Sequence, residues 1–209
     1  MKGVIFNAVE EAVTGLYSED VWDDLLDNAG LEGHYTSLGS YDDSELTALV
    51  TAACPMTGHE ANDLLRVLGR SAFPHLAGRY PELVDNSAGT HDFLRRVNDI
   101  IHPEVLKLHP DATPPQFDFE DRPDGALRVT YKSARGLGVL AAGLITGAGD
   151  RFGEEVEVEI IMNDPSSTSR VIPNTALNSG SSQQGKARRQ SVDCICVVAM
   201  TCSAPSASM

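Results

Sequence analysis

An α+β architecture, helices first and a small antiparallel sheet after, is the fold that the apolar patterning of this chain predicts. Three observations carry it. Up to Pro110 the apolar residues recur at helical spacing; beyond it two segments alternate in strand fashion around a turn; and a third alternating segment follows a stretch of small apolar residues suited to a buried helix. With 209 residues the chain can bury one substantial core without help from disulfides or metal.

The elements follow in order. Val4, Phe6 and Val9 through Leu16 and Tyr17 suit a helix with a broad apolar face, and Val21, Trp22, Leu25 and Leu26 form a second that stops before Gly30. A third begins at Glu45-Leu46 with Leu49 and Val50 on one face, the acidic run Asp42-Asp43-Ser44-Glu45 serving as a solvated start favoured by the helix dipole. Residues 60 to 72 and 90 to 108 complete the helical half, with Pro103 expected to bend the latter helix at His102. Gln116 to Glu120 and Ala126 to Ser133 read as a hairpin closed by Arg122-Pro123-Asp124-Gly125. Leu137 to Phe152 reads as the buried helix, and Glu154 to Ile161 alternates strictly, Val156, Val158 and Ile160 against Glu155, Glu157 and Glu159.

Charge and composition exclude several classes. Sixteen basic against thirty acidic residues leave a net charge of −14, which repels nucleic acid phosphates and anionic lipid. No uninterrupted apolar stretch approaches the ~20 residues that span a bilayer. Met1-Lys2-Gly3-Val4-Ile5-Phe6-Asn7 runs into Glu10 and Glu11 without the pattern of a signal peptide, so the expected location is cytoplasmic. Cys54 stands apart from Cys194, Cys196 and Cys202, a spacing of neither a disulfide framework nor a zinc site. Residues 165 to 209 hold four basic residues and one acidic, with many Ser, Gly and Pro, which places a boundary near Asp164. The expectation is a domain over 1–164 and a poorly ordered tail over 165–209, with a late strand over 194–200 whose pairing partner the sequence does not identify.

Two constellations can carry chemistry. His102 lies on a helical surface with Ile101, Val105 and Leu106, so its imidazole faces something apolar. A neutral imidazole there suits an iron atom, or is a core histidine bonded to a backbone carbonyl. Tyr131, Ser133 and Arg135 fall on one side of a strand, a row of donors fit for two carboxylates or a plain solvated strand face. There is no GxSxG, P-loop, HExxH or GxGxxG to anchor a hydrolase, nucleotide enzyme or zinc protease. His59-Glu60 reads as a solvated helix start, and His34, His75, His91 and His109 as surface or capping residues.

Together these features resemble the haem nitric oxide/oxygen binding (H-NOX) family, the sensor domain of bacterial gas receptors and soluble guanylate cyclases. The likeness covers roughly residues 1 to 161: the opening Met1-Lys2-Gly3-Val4-Ile5-Phe6-Asn7, the stretch from Ile101-His102-Pro103-Glu104 to Pro114-Pro115-Gln116-Phe117, and YxSxR at the expected distance. The resemblance implies haem b (protoporphyrin IX iron) with His102 as proximal ligand, Tyr131, Ser133 and Arg135 on the propionates, and Pro115 distorting the porphyrin. It assigns Ile5, Val9, Pro74, Leu140 and Leu144 to the distal side. Family members that bind O2 stably have a tyrosine where this chain has Leu140, so the implied ligands are NO and CO rather than O2. The implied output is not catalysis: NO weakens the iron bond to His102, the haem relaxes, and the shift of that helix is passed to a separate histidine kinase or cyclic-di-GMP enzyme. The alternative is a haem-free regulatory interaction protein that keeps the fold. One departure is that the strand closing the family's sheet must come here from Val171-Ile172 or the Cys194–Met200 run, or be missing.

Overall fold

Helix α1 (Gly3–Leu16) sends Phe6 and Val9 into one apolar cluster and Ala8 and Ala12 into another, as its broad apolar face requires. It begins a computed structural model that describes residues 1–162 and 192–201. Helix α2 (Glu19–Ala29) starts where the Ser18 hydroxyl accepts from the Val21 N–H at 3.3 Å, and stops at Gly30 in the left-handed region, φ +68°. Helix α3 (Asp43–Thr57) begins two residues before the expected Glu45 because the Asp42 carboxylate accepts from the Ser44 N–H at 2.8 Å. Phe6 stacks on Tyr35 at 4.3 Å between centroids and, with Leu46, Leu49 and Trp22, ties these helices into one cluster.

Helix α4 (Ala61–Arg79) runs past the predicted end at residue 72 and straight through Pro74. The cost of one missing backbone hydrogen bond is offset by packing beyond it, where Phe73 and Ala77 are buried while Pro74 faces solvent. A short α5 (Pro81–Val84) precedes the stretch predicted as one helix over 90–108, which is three segments: α6 (Thr90–Arg96), a π-helical turn (Val97–Ile101), and α7 (His102–Leu108) with Pro103 in its first turn. A proline in a first turn loses no intrahelical bond, so the interruption falls just before His102.

Strands β1 (Gln116–Asp121) and β2 (Leu127–Ser133) form the expected hairpin, with Gly125 at φ +83° in its turn. Helix α8 (Gly138–Phe152) and strand β3 (Glu155–Met162) follow. Strand β4 (Val192–Thr201) enters between β2 and β3, making an antiparallel sheet of order β1-β2-β4-β3. The run 194–200 thus has both its partners, while the Val171-Ile172 alternative, the boundary at Asp164 and the stretch 165–191 lie outside the described residues.

Helix α8 joins the core. Val139 and Leu140 pack into the cluster of α1–α3, and Ala142, Ile145 and Ala148 into a second cluster with the sheet, Phe73 and Phe93. Helices α4 and α8 touch through glycines: a Cβ on Gly143 would lie 2.2 Å from the Arg66 carbonyl oxygen, and one on Gly69 would lie 2.3 Å from that of Leu140.

Candidate functional site

Between α1, α4 and α8 on one side and α6, α7 and β1 on the other lies an apolar cavity of about 350 Å³. Ile5, Leu140, Leu144, Val97, Ile101, His102, Pro115 and Phe117 are among the residues that line it. Burial pushes the His102 imidazole down to about 4, opposed by a hydrogen bond to the backbone of Pro115. Proline has no N–H, so one ring nitrogen donates to the Pro115 carbonyl, and the other keeps its lone pair at neutral pH. The two alternatives for His102 therefore coincide: it is bonded to a carbonyl and it faces the cavity.

One end of the cavity is polar. The Arg135 guanidinium reaches Asp43 Oδ1 through Nε at 3.0 Å, and the carbonyl and hydroxyl of Thr113 through Nη1 and Nη2 at 2.5 and 2.7 Å. Burial raises the Asp43 carboxyl, but the Met1 amino group at 2.8 Å and Arg135 outweigh it and hold it below the usual range. Lys2 bridges outward, its Nζ 2.8 Å from Asp111 Oδ1 and 2.9 Å from the Ser40 hydroxyl. Tyr131 is buried and lines the same cavity.

Three expectations need correction. Tyr131, Ser133 and Arg135 are not a row: β2 ends at Ser133, whose hydroxyl accepts from the Arg135 N–H at 3.2 Å, and Ser133 does not line the cavity. Val9 and Pro74 do not line it, Val9 being packed in the α1–α3 cluster and Pro74 facing solvent. His109, expected at the surface, is only 2% exposed and lines the cavity, and its buried Nδ1 has no hydrogen-bond partner among the described residues. Leu76, Tyr80, Phe93 and Phe117 line the cavity without having been singled out; a helix-face argument can find Leu76, but nothing local marks the others.

A family described as Haem-NO-binding matches residues 2–160, three quarters of the chain. The chain belongs to this family. Three solved H-NOX structures are similar to it throughout. One is an H-NOX protein from S. oneidensis in the Fe(II)NO state, 25% identical, covering 96% of this chain and 99% of that one at a TM-score of 0.75. Another, from K. algicida in the unliganded Fe(II) state, is 23% identical, covering 96% and 97% at 0.74. A third, the NMR structure of an H-NOX domain from Shewanella oneidensis in the Fe(II)CO state, is 24% identical, covering 96% and 99% at 0.74.

The residues present suit the haem that the H-NOX family name implies. The cavity falls within the ~300 to 1,000 Å³ common for bound small molecules, its walls are apolar, the neutral His102 imidazole lines it along with His109, and at one end stand Arg135, paired with Asp43, and Lys2, paired with Asp111. Among the described residues no cluster of His, Cys, Asp and Glu could hold a bare metal ion, and no helix is long and apolar enough to cross a membrane.

The imidazole environment predicts a pH dependence in the cofactor-free protein. Folded His102 resists protonation until about 4, against an ordinary 6.5. Between those values the unfolded chain binds a proton that the folded chain does not, so His102 costs no stability above 6.5 and progressively more as pH falls through the window. Urea midpoints measured at pH 7, 5.5 and 4.5 should fall less for His102→Gln than for the native sequence.

Proposed function

We propose that this chain is a haem-based gas sensor that takes NO and CO, discriminates against O2, and signals to a separate effector protein. The observation that carries the reading is the His102 imidazole, neutral, anchored to the Pro115 carbonyl and facing an apolar cavity with a polar end at Arg135. Haem b, when bound, supplies a ferrous iron with one position open to a diatomic gas.

In this reading His102 would hold the haem iron, and Arg135 with Tyr131 would receive the propionates. Ser133 supports them from outside the cavity by fixing the Arg135 backbone, and Pro115 would contact the porphyrin. Ile5, Leu140 and Leu144 line the same cavity, excluding water and presenting no donor at Leu140. Residues 1–164 form the sensor unit. The net charge of −14 suits docking to a basic face on a histidine kinase or cyclic-di-GMP enzyme.

The selectivity follows from Leu140. Bound O2 carries partial negative charge and gains from a donor, whereas NO and CO do not depend on one. A hydrogen bond of about 0.5 to 1.5 kcal/mol corresponds to about a two- to twelvefold change in affinity, and to more when the acceptor is charged, since 1.4 kcal/mol is a factor of ten. The purified ferrous protein, kept anaerobic and then exposed in turn to NO, CO and air, is the test. Stable spectral shifts with NO and CO and none in air are expected. A stable, reversible shift in air overturns the discrimination and directs attention to the phenol of Tyr80 on the same cavity.

A further inference from the structure

The helix that carries His102 is weak where the histidine sits. Its N–H bonds to the Val97 carbonyl across a π-helical turn, and Pro103, next in line, has no N–H to give. Something outside the helix must fix its place. Asn98, on that turn, donates from Nδ2 to the Phe117 carbonyl and accepts at Oδ1 from the Phe117 N–H at 3.2 Å. Only this orientation of the amide satisfies both contacts, since the reverse sets donor against donor. Phe117 pairs with Tyr131 on one side, and among the described residues β1 is an edge of the sheet. A strand residue points its N–H and C=O to the same side, so those of Phe117 face the open edge, where the Asn98 amide completes them as a neighbouring strand would.

That one bridge lies four residues before His102 and two after Pro115. The rings of His102 and Phe117 lie near parallel, 28° apart with centroids at 6.1 Å. We propose that Asn98 is a positioning residue: by pairing the π-helical turn to the edge of β1, it sets the distance at which His102 stands from Pro115 and so the strain on the axial bond. The inference rests on the reading of His102 as the iron ligand.

Its test uses Asn98→Leu, similar in volume but without hydrogen bonds, and Asn98→Asp, which keeps the acceptor and loses the donor. Amide exchange at Phe117 should quicken in Asn98→Leu about tenfold, the loss of roughly one hydrogen bond. In the ferrous haem-loaded protein the iron–histidine stretching band, seen by resonance Raman, should shift in both variants, more in Asn98→Leu, while haem stays bound; if Asn98→Leu does not fold, the shift in Asn98→Asp decides. A merely structural role would lower the melting temperature and leave the band in place. A native band that vanishes in His102→Gly but is unmoved in the Asn98 variants that fold overturns this inference alone. A native protein with no such band, or one whose band survives His102→Gly, overturns the assignment of His102 and the inference with it.

Discussion

Replacing His102 by glycine should strip the protein of retained haem, a larger effect than the ~10- to 100-fold loss of metal affinity that follows removal of a group merely supporting a ligand. In the proposed reading the imidazole would ligate the iron, and its hydrogen bond to the Pro115 backbone leaves the second nitrogen free for it. Glycine removes that bond but leaves the apolar walls and Arg135 in place, so the cavity remains able to take the porphyrin once an axial base returns. Added imidazole should therefore restore part of the Soret absorption. An unchanged spectrum in His102→Gly means that the ligand is another residue.

The second large effect is structural. Gly143→Ala places a methyl 2.2 Å from the Arg66 carbonyl oxygen, a backbone atom that yields only if α4 and α8 separate. Overpacking of this kind costs about 1 to 3 kcal/mol, against which alanine returns at most about 1 kcal/mol in helix propensity. The clash, with backbone on both sides, sits at the upper end, and a net loss of about 2 kcal/mol is expected. Leu140 and Leu144 flank the position on α8, so the cavity wall should move with it and haem affinity should fall. Gly78→Ala is the control: nothing lies within 4 Å of its Cβ, and a gain of stability is expected. Denaturant midpoints of the two variants should thus move in opposite directions, and a Gly143→Ala variant as stable as the parent would show that the helices have room to part.

The helical half and the hairpin were legible because their signals are local. Phe6, Val9, Leu46 and Leu49 recur at helical spacing, and the turn at Asp124-Gly125 sits between alternating segments. The break before His102 was legible only as a proline, since a π turn depends on how the helix meets β1 rather than on its own residues. The helix expected over 60–72 runs on through Pro74 because burial of Phe73 and Ala77 overrides the proline, which is turned outward and does not line the cavity. The partners of β4 were illegible because register between β2 and β3 is a tertiary choice. Of the site, His102, Pro115, Tyr131, Arg135 and Leu140, named from the sequence, line the cavity, while Phe93 and Tyr80 come to it through the folding of distant helices. Asn98 carried no signal of its own, for its meaning lies in the Phe117 backbone nineteen residues away.

The most direct measurement of the central claim is a titration of the cofactor-free, reduced protein with haem, followed at the Soret band under anaerobic conditions. A sharp break at one haem per chain, lost in His102→Gly, is the expected result. A native protein that develops no Soret band, or binds haem without a stoichiometric break and indifferently to His102→Gly, contradicts the account and leaves a regulatory protein that keeps the fold without the cofactor.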